Sequence, residues 1–144
     1  MKSGADGATP VDVARSYLAA LGGNDPTEVT RLVAEDFVNE HTAELGSGST
    51  GRDEYARRLP GFFEMFPNRR YTVEETALGK LVDENDKPAT EVIVRYRFGA
   101  DVDGTRIDIP GVMWITVRDG LVTRRLDCWD SLTFHRQTGT PVDL

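Results

Sequence analysis

A chain of 144 residues with 39% apolar side chains supports one hydrophobic core and is too short for two domains. Its formal charge of -7 repels phosphate backbones, and the pairs Arg57-Arg58, Arg69-Arg70 and Arg124-Arg125 are short and set among acids, so no nucleic-acid partner is expected. The single cysteine, Cys128, excludes an intramolecular disulfide and a multi-cysteine metal site, and it points to a reducing, cytoplasmic setting.

Residues 1–10 are rich in Gly, Ala and Ser and carry no apolar run, so a flexible terminus is expected rather than a signal peptide. No later apolar run is long enough to span a bilayer, and no membrane partner is expected. A single domain is predicted over residues 11–137, followed by a tail at 138–144.

Residues 11–21 place Val11, Ala14, Tyr17, Leu18 and Leu21 at helical spacing, with Thr9 as N-cap, Pro10 in the first turn and Gly22-Gly23 as the stop. Tyr17 is then a buried phenol in need of a partner, and two readings stand: a core tyrosine or a donor facing a cavity. Asp25-Pro26 starts a second short helix that turns Val29, Leu32 and Val33 inward and ends near Asp36. A short extended segment at 37–41 leads through His41 into a Gly- and Ser-rich loop at 42–51, read either as a lid or as a plain connector.

Thr50 is placed to cap a third helix from Arg52, with Tyr55, Leu59, Phe62, Phe63 and Phe66 as an apolar stripe and a kink or break at Pro60. From Arg70 the period changes to two. A strand at 71–78 extends through Lys80, Leu81 and Val82, a polar turn follows at 83–88, and Val92, Val94, Tyr96 and Phe98 then alternate with Ile93, Arg95 and Arg97. After a turn at 101–104 a short strand at 106–109 is expected, with Pro110 interrupting it before a long hairpin at 111–130.

The register of that hairpin decides which carboxylate faces inward. A three-residue loop at 118–120 pairs Val117 with Leu121 and sets Met113 and Ile115 on one face with Arg125, Asp127 and Trp129. A two-residue loop sets Asp127 with Val112 and Trp114 instead. The first is preferred. Beyond Asp130 the chain is read as a thinning tail that carries His135. Three helices followed by an antiparallel meander give an α+β fold, and a strongly curved sheet wrapped around helices leaves room for a ligand-sized pocket.

The runs R-S-Y-L-A-A-L-G-G-N-D, A-E-D-F-V-N-E-H, F-P-N-R-R-Y-T-V-E-E and V-R-D-G-L-V-T-R-R-L-D-C-W-D resemble the SnoaL-like branch of the nuclear-transport-factor-2-like superfamily. The resemblance implies a cone-shaped, cystatin-like α+β roll whose curved antiparallel or mixed sheet encloses a pocket. It implies general acid/base chemistry without a cofactor or metal, either aldol-type cyclisation or isomerisation beside a carbonyl of a hydrophobic polyketide-like molecule. It further implies a homodimer through the sheet face.

Residue by residue, Asp127 matches the cyclases' acid/base aspartate and Tyr17 the isomerases' oxyanion-binding tyrosine, while His41 falls at or beside the isomerase base. Met113 stands where the isomerases, themselves a worked example of carboxyl tuning, have a protonated aspartate. The epoxide hydrolases of the superfamily use Arg-x-Asp plus a terminal aspartate. Asp130 fits the latter, but the matching strand reads Arg95-Tyr96-Arg97.

The expected catalytic set is Asp127, His41 and Tyr17, with Met113, Trp129, Tyr96, Phe62, Phe66, Tyr55 and Asp130 on the substrate. Burial against Trp129 and Met113 raises an aspartate from its usual value of ~3.9, and a nearby Arg125 lowers it. On this reading Asp127→Asn abolishes turnover and leaves melting nearly unchanged. The rival is a non-catalytic pocket for a hydrophobic molecule, or a scaffold of the same fold.

Overall fold

The computed structural model describes residues 8–43 and 48–139. Helix α1, Pro10–Leu21, starts where expected: the Thr9 side chain accepts from the Asp12 amide and Asp12 reaches back to the Thr9 amide. This reciprocal box satisfies two amides that a helix start leaves bare. Helix α2, Pro26–Thr30, is capped by Asp25 and is shorter than expected. The chain is already extended at Val33, because strand β1, Val33–His41, pairs in parallel with the last strand and takes Val33 and Ala34 into the core as sheet residues.

Strand β2, Ser49–Thr50, pairs with Val38 and Asn39 of β1. The loop at 42–51, read either as a lid or as a connector, lies partly outside the described residues, which omit 44–47. Helix α3, Arg52–Met65, runs through Pro60 without a break. Its N-cap is Gly51, at a φ of 91° that favours glycine, and Thr50 makes no cap because it is held in β2.

Four strands follow: β3, Arg70–Glu84; β4, Lys87–Val102; β5, Thr105–Arg118; and β6, Leu121–Trp129. Each is joined to the next by two residues with positive φ, at Asn85-Asp86, Asp103-Gly104 and Asp119-Gly120. Such turns match the right-handed twist of paired strands, so the meander is tight throughout. The sheet order is β2-β1-β6-β5-β4-β3, antiparallel except between β1 and β6.

Strand β5 does not stop at Pro110. The Pro110 carbonyl accepts from the Asp130 amide just past the end of β6, and the reciprocal bond that proline cannot donate leaves no carbonyl unpaired, because the Asp130 carbonyl accepts from the Phe134 amide. The hairpin keeps the faces of the preferred register reading and corrects its loop. Its loop has two residues, with Arg118 opposite Leu121, yet a bulge after Thr116 inserts one residue in β6 and restores the other parity, so Met113 faces Asp127 and Ile115 faces Arg125.

The concave face of the sheet packs Val92, Val94, Ile115 and Val117 against Val13, Tyr17, Leu18 and Leu21 of α1, giving a solid core at one end of the cone. Arg69 closes it, donating to the carbonyls of Leu21 and Gly23 after α1 and of Phe63 and Phe66 at the end of α3. The guanidinium also lies 3.5 Å from the centre of the Phe63 ring.

The expected tail is a helix, α4, Ser131–Thr138. Asp130 caps it, accepting from the Thr133 amide at 3.0 Å, and Gly139 ends it at a φ of 74°. The Gln137 amide bonds both backbone groups of Asp108, which fastens α4 to β5. No described helix is long and apolar enough to cross a membrane.

Candidate active site

Away from α1 the sheet is not filled by its own side chains. A cavity of about 480 Å³ opens there, walled by α3, α4 and the strands β1, β3, β4, β5 and β6. Its walls are largely aromatic: Phe62 and Phe66 from α3, Phe98 from β4, Trp129 from β6 and Phe134 from α4. Exposed Arg58 and Met65, both on α3, mark where it meets solvent.

Alternation along β6 places Arg125, Asp127 and Trp129 on the cavity side, and alternation along β1 does the same for Asn39 and His41. Asp127 is only 4% exposed. One oxygen accepts the Tyr96 hydroxyl at 2.5 Å and the other the Arg125 guanidinium at 2.9 Å. Arg125 is itself buried, and it also donates to Asn39 Oδ1 at 3.3 Å and to Met113 Sδ at 3.4 Å. Burial opposes its charge, but the Asp127 carboxylate beside it favours it, and its pKa is held above the ordinary arginine value.

His41 Nδ1 accepts from the Trp129 indole at 3.2 Å and lies 3.8 Å from the Asp127 carboxylate. Burial first, then the charge of Arg125, pull its pKa down against the opposing pull of Asp127. The ring is therefore neutral near pH 7, with its proton on Nε2. Tyr55, Tyr71 and Tyr96 line the same end, and burial drives all three above the ordinary phenol value, with Asp127 adding to the effect on Tyr96. They stay protonated, which leaves each phenol able to donate a hydrogen bond. Among the described residues no group of three His, Cys, Asp or Glu side chains is placed to hold a metal ion.

Of the expected residues, Asp127, His41, Tyr96, Tyr55, Trp129, Phe62 and Phe66 converge on this one space. Tyr17 does not line it. It stands behind Tyr55, sharing a 2.5 Å bond between the two hydroxyls. Met113 is fully buried behind Arg125, and Asp130 is an exposed helix cap. Sequence reasoning used Arg125 only as a neighbour of Asp127 and passed over Asn39, Tyr71 and the α4 pair Phe134 and His135. The pattern Arg125-x-Asp127-x-Trp129 on one strand was the available signal for the first of these.

The SnoaL-like domain family matches residues 14–125, most of the chain. The chain belongs to the SnoaL-like family. The match ends two residues before Asp127, so it takes in Tyr17, His41 and Arg125 but neither that acid nor α4.

Solved SnoaL-like and related structures share the roll. A Catenulispora acidiphila protein with a ketosteroid isomerase-like fold, solved with trimethylamine, is 21% identical, covers 93% of this chain and 96% of its own, and has a TM-score of 0.73. PrhC from Penicillium brasilianum is 14% identical, with coverage of 90% and 85% and a TM-score of 0.70. A candidate SnoaL-like polyketide cyclase from Shewanella denitrificans is 18% identical, with coverage of 92% and 100% and a TM-score of 0.65. Comparison with curated proteins finds no match.

Proposed function

We propose that this SnoaL-like chain is an enzyme that moves a proton beside a carbonyl of a hydrophobic, polyketide-like molecule, using its own side chains. The observation that carries the reading is one buried carboxylate, Asp127, at the polar end of an otherwise aromatic cavity among hydrogen-bond donors. Each carboxylate oxygen has a lone pair left after its bond to Tyr96 or Arg125, so Asp127 can accept a proton from the carbon next to a carbonyl. The negative charge then develops on the carbonyl oxygen. The Arg125 guanidinium, the phenols of Tyr55 and Tyr71 and the Nε2–H of His41 are the groups suited to stabilise it.

The neutral ring, with Nδ1 engaged by Trp129, favours His41 as a donor over a second base. Two outcomes preserve the atom balance. Asp127 returns the proton to a different carbon, which is isomerisation; or the enolate carbon bonds to a second carbonyl of the same molecule and Asp127 protonates the new alkoxide, which is aldol-type closure. A cytoplasmic setting belongs to the same reading, on the strength of the single unpaired cysteine.

A second reading has its own observation. Both oxygens of Asp127 are already held, as in a structural ion pair, which suits a protein that binds a hydrophobic molecule without changing it. The epoxide-hydrolase reading has less support, because Asp130 caps α4 and, among the described residues, no second acid lines the cavity beside Asp127.

The deciding measurement is solvent deuterium exchange at the α-carbon of aromatic β-ketoesters, followed by NMR. Asp127→Asn should slow it by about 10²–10⁴-fold, the usual contribution of a positioned acid or base. The geometry corrects the expectation that this variant melts like wild type. Removing Asp127 strands the buried Arg125 charge at a cost of about 3–5 kcal/mol, and Arg125→Met added to Asp127→Asn should recover most of it. Exchange at the wild-type rate in either folded variant rejects the catalytic reading.

A further inference from the structure

His135 lies in the wall of the cavity but outside the hydrogen-bonded group around Asp127. It projects from α4 beside Phe134, whose ring meets it edge-on at 5.7 Å and also packs edge-on against Trp129 and Phe66. The chain of ring contacts runs from His135 through Phe134 to Trp129, whose indole bonds His41 beside Asp127. The side chain belongs to a residue only 8% exposed, and neither Nδ1 nor Nε2 has a hydrogen-bond partner among the described residues. Water does not reach either nitrogen.

Buried polar atoms are nearly always paired, because an unpaired one forfeits its hydration without return. Helix α4 is capped at both ends by other residues and fastened to β5 by Gln137, so an apolar ring would complete the aromatic wall at least as well. The imidazole torsion about its last bond is broad, so the ring can turn a nitrogen toward the cavity without moving the helix.

We propose that His135 is a second polar contact for the ligand, and that the natural ligand is two-ended: an oxygen function at the Asp127 end, an apolar middle against the rings, and a hydroxyl group at His135. A hydroxyl both donates and accepts, so it can answer either imidazole nitrogen whichever carries the proton. The inference rests on the reading of the cavity as a site for a hydrophobic small molecule, but it does not require that Asp127 transfer a proton.

Matched probes test it. Calorimetry compares n-alkanols with α,ω-alkanediols of the same length, from hexane to dodecane, on wild type, His135→Phe and His135→Gln. In an apolar cavity with no second contact the added hydroxyl weakens binding at every length, since it leaves water unpaired. With the contact, a diol of matching span binds wild type about 10-fold tighter than its alkanol, the size of one net hydrogen bond. His135→Phe should abolish that preference and His135→Gln should keep part of it.

In the absence of probe, His135→Phe should melt no lower than wild type, because it removes two unpaired atoms. A diol that is nowhere preferred by wild type, a preference that survives His135→Phe, or a phenylalanine variant that melts well below wild type would each overturn the proposal. These readouts are independent of the exchange assay. Loss of exchange in Asp127→Asn without any diol preference leaves the enzyme and removes the second contact, and the reverse result does the opposite.

Discussion

Tyr96 reaches Asp127 because Gly111 lies opposite it on β5 and has no side chain. A Cβ at Gly111 would come within 2.4 Å of the Tyr96 Cζ and hydroxyl, far inside van der Waals contact. The glycine is thus a packing requirement of the site rather than a turn. Gly111→Ala should destabilise the fold by about 1–3 kcal/mol, as overpacking of a tight core does, and push the phenol off the carboxylate. Its deuterium exchange should fall at least as far as in Tyr96→Phe. Because both changes act on one contact, the double variant should be no slower than the worse single one. Additive losses would show that Gly111 and Tyr96 act separately.

At the scale of elements, Arg69 joins the ends of α1 and α3 through four backbone carbonyls that their helices leave unpaired or exposed. Arg69→Met should cost about 2–4 kcal/mol in chemical denaturation, and Arg69→Lys should recover under half, because a compact ammonium cannot reproduce a planar fork of five donors. A lysine variant as stable as wild type would reduce the residue to a generic positive charge.

The elements themselves were unevenly legible. α1 and the β4 face could be read because their periodicity is carried by large apolar residues and their ends by Thr9, Pro10 and Gly22. β1 was half missed, since Val33 to Asp36 follows a helix and only pairing with a strand some 90 residues later makes it extended. α4 was missed because eight residues carry too little pattern, although Asp130 and Thr133 already spelled its cap. For the site, Asp127 and His41 could be placed by strand alternation. The bulge in β6 that fixes the face of Asp127, and the burial of an unpaired His135, depend on packing that no local pattern encodes.

The whole molecule presents a second sheet face, turned away from the cavity. Val112, Trp114, Ile93, Leu126 and Cys128 are neighbours there by register, and all are half-buried rather than covered. We propose that a second copy covers this face, and light scattering at micromolar concentration should return a mass near twice 16.0 kDa. Trp114→Asp should shift the population to monomer, because a charge at the centre of an apolar interface loses its water without a partner. A wild-type monomer would reject the dimer.

The parallel contact of β1 with β6 has one more consequence. Every other long pairing in the sheet is between neighbours in the chain, joined by turns of two residues. These hairpins can zip locally, whereas setting His41 beside Asp127 requires closing a loop of more than 80 residues. The meander can therefore assemble while its acid still lacks a histidine, so the seam expected to knit last is the one that makes the chamber chemically complete.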